Sequence, residues 1–197
     1  EKENEKSENI KALKNSLYDK QLEFYNLEAS KKLAVCSRRA GKTNLAARWM
    51  TMMAMELDGC VVPYITLSLK NAKRLMWPMM TQLNREFGLN LNFRRSELTI
   101  EFPNGSEIWL CGLSDYEDME KLRGPKYPLV ICDECQSMRH YLKQCIEDVL
   151  EPATLDYGLT ASIVMFGTPN ASLSGYFYQA DRFSQAWEKR HWTLLDN

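Results

Sequence analysis

The amino-acid sequence predicts an α/β protein built on a mainly parallel sheet. Two observations carry that expectation. Short apolar runs alternate with stretches of helical period through most of the 197 residues, and one region instead alternates apolar with polar residues on either side of a turn. Residues 8–30 read as a polar helix and loop bearing Leu17, Tyr18, Leu22, Phe24 and Tyr25. Leu33 to Cys36 is a short apolar strand, 37–41 a loop, and Lys42 to about Leu57 a helix. Leu45, Trp49, Met52 and Met53 fall on one face of that helix, and this methionine-rich stripe reads as core rather than as a partner groove.

Cys60 to Leu67 is the next strand, followed by a helix from about Lys70 to Phe87 with a kink expected near Pro78, where the ring removes a backbone N–H. The period then changes. Leu98, Ile100 and Phe102 alternate with Thr99 and Glu101, and Ile108 and Leu110 alternate with Glu107 and Trp109. Pro103-Asn104-Gly105 between them marks an antiparallel hairpin inserted in the parallel pattern. Tyr127 to Asp133 reads as a buried strand, and Arg139 to Leu150 as a helix with Leu142, Cys145, Ile146 and Val149 on one face. Ala161 to Phe166 is a further strand, ending at Gly167-Thr168-Pro169. The last thirty residues are aromatic-rich and less regular. The chain thus divides into an N-terminal segment (1–30), a core (31–170) and a small C-terminal lid region (171–197).

Composition narrows the function. Hydrophobic residues make up 45%, enough for a sizeable core. The 25 basic and 26 acidic residues leave a net charge of -1, which gives no support to a protein that coats nucleic acid through bulk charge but leaves a local basic stripe open. No apolar run reaches the roughly 18 residues of a membrane helix, and the opening Glu1-Lys-Glu-Asn-Glu-Lys has no signal-peptide character. Cys132 and Cys135 form a lone C-x-x-C in a chain with two histidines, so reduced thiols are expected rather than a zinc site.

The central motif is Cys36-Ser37-Arg38-Arg39-Ala40-Gly41-Lys42-Thr43, a phosphate-loop pattern with Cys where its first glycine would stand. Its context, an apolar strand before and an amphipathic helix after, is what phosphate binding requires. Loop amides turn inward and the helix N-terminus adds positive potential. Gly41 lets the backbone approach, Lys42 would reach the β- and γ-phosphates, and the Thr43 hydroxyl would ligate Mg²⁺. The bland alternative is a surface loop that happens to contain Gly-Lys-Thr. Further on, Pro128 to Glu134 is an apolar strand ending in two adjacent carboxylates, costly to bury unless a metal or catalysis uses them. Asp133 would hold the Mg²⁺ and Glu134 would polarise the attacking water, the alternative being a helix cap beside a solvated acid. Together these predict a P-loop NTPase, read as the additional-strand, catalytic-glutamate type, with ATP and Mg²⁺ as its expected cofactors.

Ser-Arg-Arg-Ala-Gly-Lys-Thr at 37–43 resembles the Walker A motif of the phage terminase large subunit, the DNA-packaging motor. Leu-Arg-Gly at 122–124 ahead of Leu-Val-Ile-Cys-Asp-Glu is similar to the approach to that family's Walker B motif, and Gly167-Thr168-Pro169 to its coupling motif. Tyr64-Ile-Thr-Leu with Asn71-Ala-Lys-Arg and Trp77-Pro78 is similar to its second strand and helix, so the resemblance runs from about Tyr18 to the end. It implies an N-terminal ATPase domain that drives double-stranded DNA into a capsid. The implied assembly is a homo-oligomeric ring, with a portal protein and a small terminase subunit as partners, in the host cytoplasm and transiently at the procapsid portal. No nuclease domain or nuclease activity is expected within these residues. Arg38 looks like the loop arginine acting on the γ-phosphate in cis, its alternative a salt bridge holding the loop; Arg39 and Ala40 complete the loop. Gln21 is similar to the upstream glutamine that reads adenine, its alternative an ordinary surface residue. Thr168 would sense the γ-phosphate, or else cap a helix. Arg123 is a candidate for donation to a neighbouring subunit. Two rival functions remain open: another nucleic-acid translocase or helicase-like ATPase on the same core, and a non-hydrolysing nucleotide-binding module.

Overall fold

The computed structural model describes residues 2–169 and 173–196. In chain order the elements are α1 (Lys2–Asn15), α2 (Asp19–Tyr25), β1 (Lys31–Cys36), α3 (Lys42–Glu56), β2 (Val61–Thr66), α4 (Leu69–Phe87), β3 (Asn92–Arg94), β4 (Thr99–Glu101), β5 (Glu107–Gly112), α5 (Tyr116–Glu120) and β6 (Leu129–Cys132). Then α6 (Leu142–Cys145) widens into a π-turn over Ile146–Leu150 and continues as α7 (Glu151–Thr154), before β7 (Ser162–Gly167), α8 (Tyr176–Arg182) and β8 (Glu188–Trp192).

The strands form one sheet in the order β3-β4-β5-β2-β6-β7-β1-β8. From β5 to β8 every pairing is parallel, while β4 runs antiparallel to β5 and β3 to β4. The central parallel strands are covered on both faces, which is why β6 and β7 are buried throughout instead of alternating, and apolar but for Ser162. On β5, by contrast, burial alternates residue by residue, and Thr99↔Trp109 and Glu101↔Glu107 pair across the expected hairpin. Its turn closes with Phe102 N–H on Ser106 O (2.8 Å) and Gly105 in the left-handed region (φ 79°).

One core face packs α1–α4 on the sheet and includes Leu45, Trp49, Met50, Met52, Met76 and Met80, so the methionine-rich stripe is core. Phe24 of α2 sits centrally there, with ring centroids 5.6 Å from Phe166 of β7 and 5.5 Å from Trp192 of β8. The other face holds Leu33, Ile65, Tyr127, Val130, Met165 and Phe177 beneath α5–α8. Three elements depart from the sequence reading. The short β3 extends the hairpin edge. The helix expected from Arg139 starts only at Leu142. Residues 188–192, placed by sequence in an irregular lid region, form β8 beside β1, with Lys32↔Glu188 to Cys36↔Trp192 in register. That strand is legible only once β1 is there to receive it, because an edge strand reading Glu-Lys-Arg-His-Trp has no apolar alternation of its own.

The topology positions the site. β7 lies between β6, which carries the acid pair at its end, and β1, which leads into the phosphate loop. The C-terminal ends of the three parallel strands therefore open side by side, the place where α/β sheets bind ligands.

Candidate phosphate-binding and hydrolytic site

The loop of residues 37–41 leaves β1 and turns straight into α3. Gly41 is the N-cap of α3 with φ 73°, and an added Cβ would lie 2.6 Å from Gln21 Nε2 and 3.1 Å from the Tyr18 ring. Glycine is demanded there by both conformation and space. Arg39 also adopts a left-handed backbone (φ 61°), strain of the kind concentrated at functional loops. Lys42, 6% exposed, directs Nζ across the loop to Ser37 O (3.1 Å) and Thr168 Oγ1 (3.2 Å). Cys36 stands where the pattern has its first glycine because its side chain enters the core, 1% exposed; burial pushes its thiol far above the ordinary range, leaving it an inert filler.

The outward carbonyls at the end of the loop are held from outside. Ala40 O accepts from Tyr18 Oη and from Trp192 Nε1, both at 2.7 Å, and Gly41 O accepts from Gln21 Nε2 at 2.8 Å. Ser37 Oγ accepts from Leu194 N–H (2.8 Å), and Ser37 N–H donates to Trp192 O (3.2 Å). In front of the loop lies a cleft of about 620 Å³ lined by residues 38–44, by Asn71 and Arg74 of α4, and by Glu134.

Asp133 is fully buried beside Thr43. Tyr64 Oη (2.7 Å) and Thr43 Oγ1 (3.3 Å) donate to its Oδ2 and Glu134 N–H to its Oδ1 (2.8 Å). Burial pushes its carboxyl above the usual range; the Tyr64 hydrogen bond opposes this and the neighbouring Glu134 charge adds to it. A cation would offset that cost. Thr43 Oγ1 and Asp133 Oδ2 are adjacent hard oxygens of the kind Mg²⁺ prefers. Among the described residues no group of three or more His, Cys, Asp or Glu converges as a cage, so phosphate and water oxygens would complete the shell. The residues fit that ion.

Glu134 adopts φ 56°, which swings its side chain away from Asp133 and into the cleft. Gln136 Nε2 donates to its Oε2, while Gln136 Oε1 accepts from Thr168 N–H (3.0 Å). One amide thus ties the second acid to the end of β7.

The structure brings Ser37, Arg38, Arg39, Ala40, Gly41, Lys42, Thr43, Asp133, Glu134 and Thr168 together, with Gly167 and Pro169 flanking the last. Arg38 and Arg39 are exposed at the cleft mouth. Gln21 is not an open surface residue: it is 2% exposed, and its amide is turned onto the loop backbone, with Oε1 accepting from Tyr18 N–H at 3.3 Å. Arg123 does not line the cleft; it stands at the surface, bonded to Glu120 (2.7 Å) and to Asp148 O (3.2 Å). Sequence reasoning missed Tyr64, Gln136 and Trp192. A tyrosine inside an apolar strand is a signal, since a buried phenol needs a partner. An amide two residues after an acid pair is a weaker one, and Trp192 in the aromatic tail offered none.

A phosphate loop, an acid pair one strand removed from it and an intervening strand that supplies Thr168 define a P-loop NTPase domain of the additional-strand type. Comparison then gives the family. Residues 33–184 match "Terminase large subunit, T4likevirus-type, N-terminal", and the chain belongs to that family. A similar fold occurs in the large terminase of a thermophilic bacteriophage (TM-score 0.72, 17% identity, covering 91% of this chain and 46% of that one). It occurs also in the ATPase domain of the Thermus phage P74-26 large terminase (TM-score 0.70, 16% identity, 92% and 83%). The first of these terminases, in complex with ADP, matches at TM-score 0.69 and 17% identity, over 92% of this chain and 46% of that one. This chain therefore spans less than half the length of that thermophilic phage protein. No curated protein sequence matches it significantly. No helix among the described residues is long and apolar enough to cross a membrane.

Proposed function

We propose that this chain hydrolyses ATP in a Mg²⁺-dependent reaction and is the motor domain that drives double-stranded DNA into a viral capsid. The observation that carries this reading is that three separate stretches of chain meet around the loop: Lys42 Nζ bonds Thr168 Oγ1, Thr43 Oγ1 bonds Asp133 Oδ2, and Glu134 lines the cleft in front. That a related large terminase was crystallised with ADP supports the nucleotide class.

The loop amides and the α3 N-terminus would bind the phosphates, with Lys42 exchanging its contacts to Ser37 O and Thr168 Oγ1 for β- and γ-phosphate oxygens. Thr43 and Asp133 would hold Mg²⁺, which supplies charge neutralisation between those phosphates. Glu134 takes a proton from water as its oxygen attacks the γ-phosphorus in line and the bond to the β–γ bridging oxygen breaks. Arg38, exposed at the mouth, would stabilise the developing charge in cis. Arg123, outside its own cleft, is the candidate for donation to a neighbour in a ring. Thr168, joined to Glu134 through Gln136, would report the loss of the γ-phosphate to the end of β7 and so to the Gly167-Thr168-Pro169 segment. The portal protein and a small terminase subunit are the proposed partners, the host cytoplasm the proposed setting, and residues 171–197 the proposed lid.

The test is Mg²⁺-dependent phosphate release across protein concentration, beside Glu134→Gln. Turnover should fall by about 10²–10⁴-fold in the variant while ATP still binds. Equal turnover in both proteins would remove Glu134 from the reaction.

A further inference from the structure

We infer that Tyr18, Gln21 and Trp192 are positioning residues that orient the phosphate-binding amides from outside the loop, by holding its carbonyls on the far side. The peptide unit is planar and trans, so its C=O and its N–H point in opposite directions. Whatever fixes a carbonyl therefore fixes the next residue's N–H. Ala40 O is held by two donors, Tyr18 Oη and Trp192 Nε1, each at 2.7 Å. The Gly41 N–H is thereby turned to the opposite side. Gly41 O is held by Gln21 Nε2 at 2.8 Å and by Leu45 N–H at 3.0 Å, which turns the Lys42 N–H the same way. Neither of these two N–H groups has a protein acceptor among the described residues.

The three side chains come from the two ends of the chain, and the packing explains how they meet. Tyr18 and Gln21 open α2; Trp192 closes β8. Phe24, one turn beyond Gln21, packs against both Phe166 and Trp192, locking α2 to the edge of the sheet nearest the loop. Gly41 completes the arrangement, because any Cβ there would stand 2.6 Å from Gln21 Nε2 and push the amide off the carbonyl. Burial raises the Tyr18 phenol to about 12, so its hydroxyl remains a donor throughout the neutral range. The contact surface of these braces is the loop backbone, through which they act on the phosphate chain of the ligand.

This inference rests on reading the loop as the triphosphate site of the proposed ATPase, and the experiment separates the two. Inorganic tripolyphosphate, ATP and GTP are titrated calorimetrically, with Mg²⁺, into the wild type, Tyr18→Phe, Gln21→Leu and Trp192→Phe; phosphate release from ATP is followed in parallel. Each substitution should weaken tripolyphosphate and ATP by the same factor, about 3–10-fold for one hydrogen bond, with KM rising and kcat much less changed. Tyr18→Phe and Trp192→Phe keep an aromatic ring and delete a donor to the same carbonyl from different elements. Thermal melts of the unliganded variants identify any that misfolds, and the other then serves. Loss of ATP affinity with tripolyphosphate binding intact would overturn the inference and make Gln21 a base reader. Unchanged binding of both ligands would overturn it too, as would a wild type that does not bind tripolyphosphate. A wild type that binds tripolyphosphate but never turns ATP over sinks hydrolysis alone and leaves the braces to be judged from the variants.

Discussion

Gly167 offers the sharpest structural test of the proposed coupling segment. It ends β7 directly beneath Phe177 of α8, and an added Cβ would stand 2.4 Å from two atoms of that ring and 3.0 Å from Gln136 Oε1. The ring is 6% exposed in the face beneath α5–α8, so it cannot swing into solvent without emptying its place in that core. Gly167→Ala must therefore move the helix, the strand or the Gln136 amide. Overpacking of this kind costs about 1–3 kcal/mol. For a chain of this size each kcal/mol lowers the melting temperature by about 2–4 °C, so a cost of about 2 kcal/mol predicts a drop of roughly 4–8 °C by calorimetry. Turnover of ATP should fall further than ATP affinity, because the displaced amide is the one that joins Thr168 to Glu134. Repeating the substitution in a Phe177→Leu background completes a double-mutant cycle. The shorter side chain should absorb the methyl, giving a coupling of about 1 kcal/mol or more between the two sites. Additive costs, or a Gly167→Ala protein as stable and as active as wild type, would refute the close approach and the pathway drawn through it.

Two further predictions concern charge. Lys32 is buried over the Trp49 ring (4.6 Å) with no carboxylate partner among the described residues, and burial pushes its ammonium from 10.5 down to about 8. Its folded value lies below the unfolded one, so the penalty is present below about pH 8 and is relieved as pH rises towards 10.5. Lys32→Met should stabilise the fold at pH 7 by about 1–3 kcal/mol in urea, with the gain vanishing by about pH 10; a gain independent of pH would refute the electrostatic cause. For Asp133 the burial-raised carboxyl means that stability falls as pH climbs out of the ordinary carboxylate range. Asp133→Asn should therefore be more stable than wild type at neutral pH, the difference shrinking as pH falls into the ordinary carboxylate range, while Mg²⁺ no longer strengthens nucleotide binding. Lower stability of the unliganded variant at neutral pH would show that the charge is not strained.

The features that residue spacing reveals are local ones. The period of 3.6 on α3 and α4, the two-residue alternation on β4 and β5, and the mainly apolar runs within β1, β2, β6 and β7 are each set by residues within one element, so burial on one face or both is readable from spacing. The phosphate loop and the acid pair were legible for the same reason, since each is a short contiguous stretch at the end of a strand. Other features needed the folded chain. That β7 separates β6 from β1, that the Glu-Lys-Arg-His-Trp tail becomes β8, and that Gln136 reaches both Glu134 and Thr168 depend on contacts between distant stretches of chain. Gln21 and Ala40 show the limit most plainly. A carboxamide can meet a base or a backbone carbonyl equally well, and only the packing of Phe24 against Phe166 and Trp192 brings α2 and β8 onto the loop and settles which carbonyls are held.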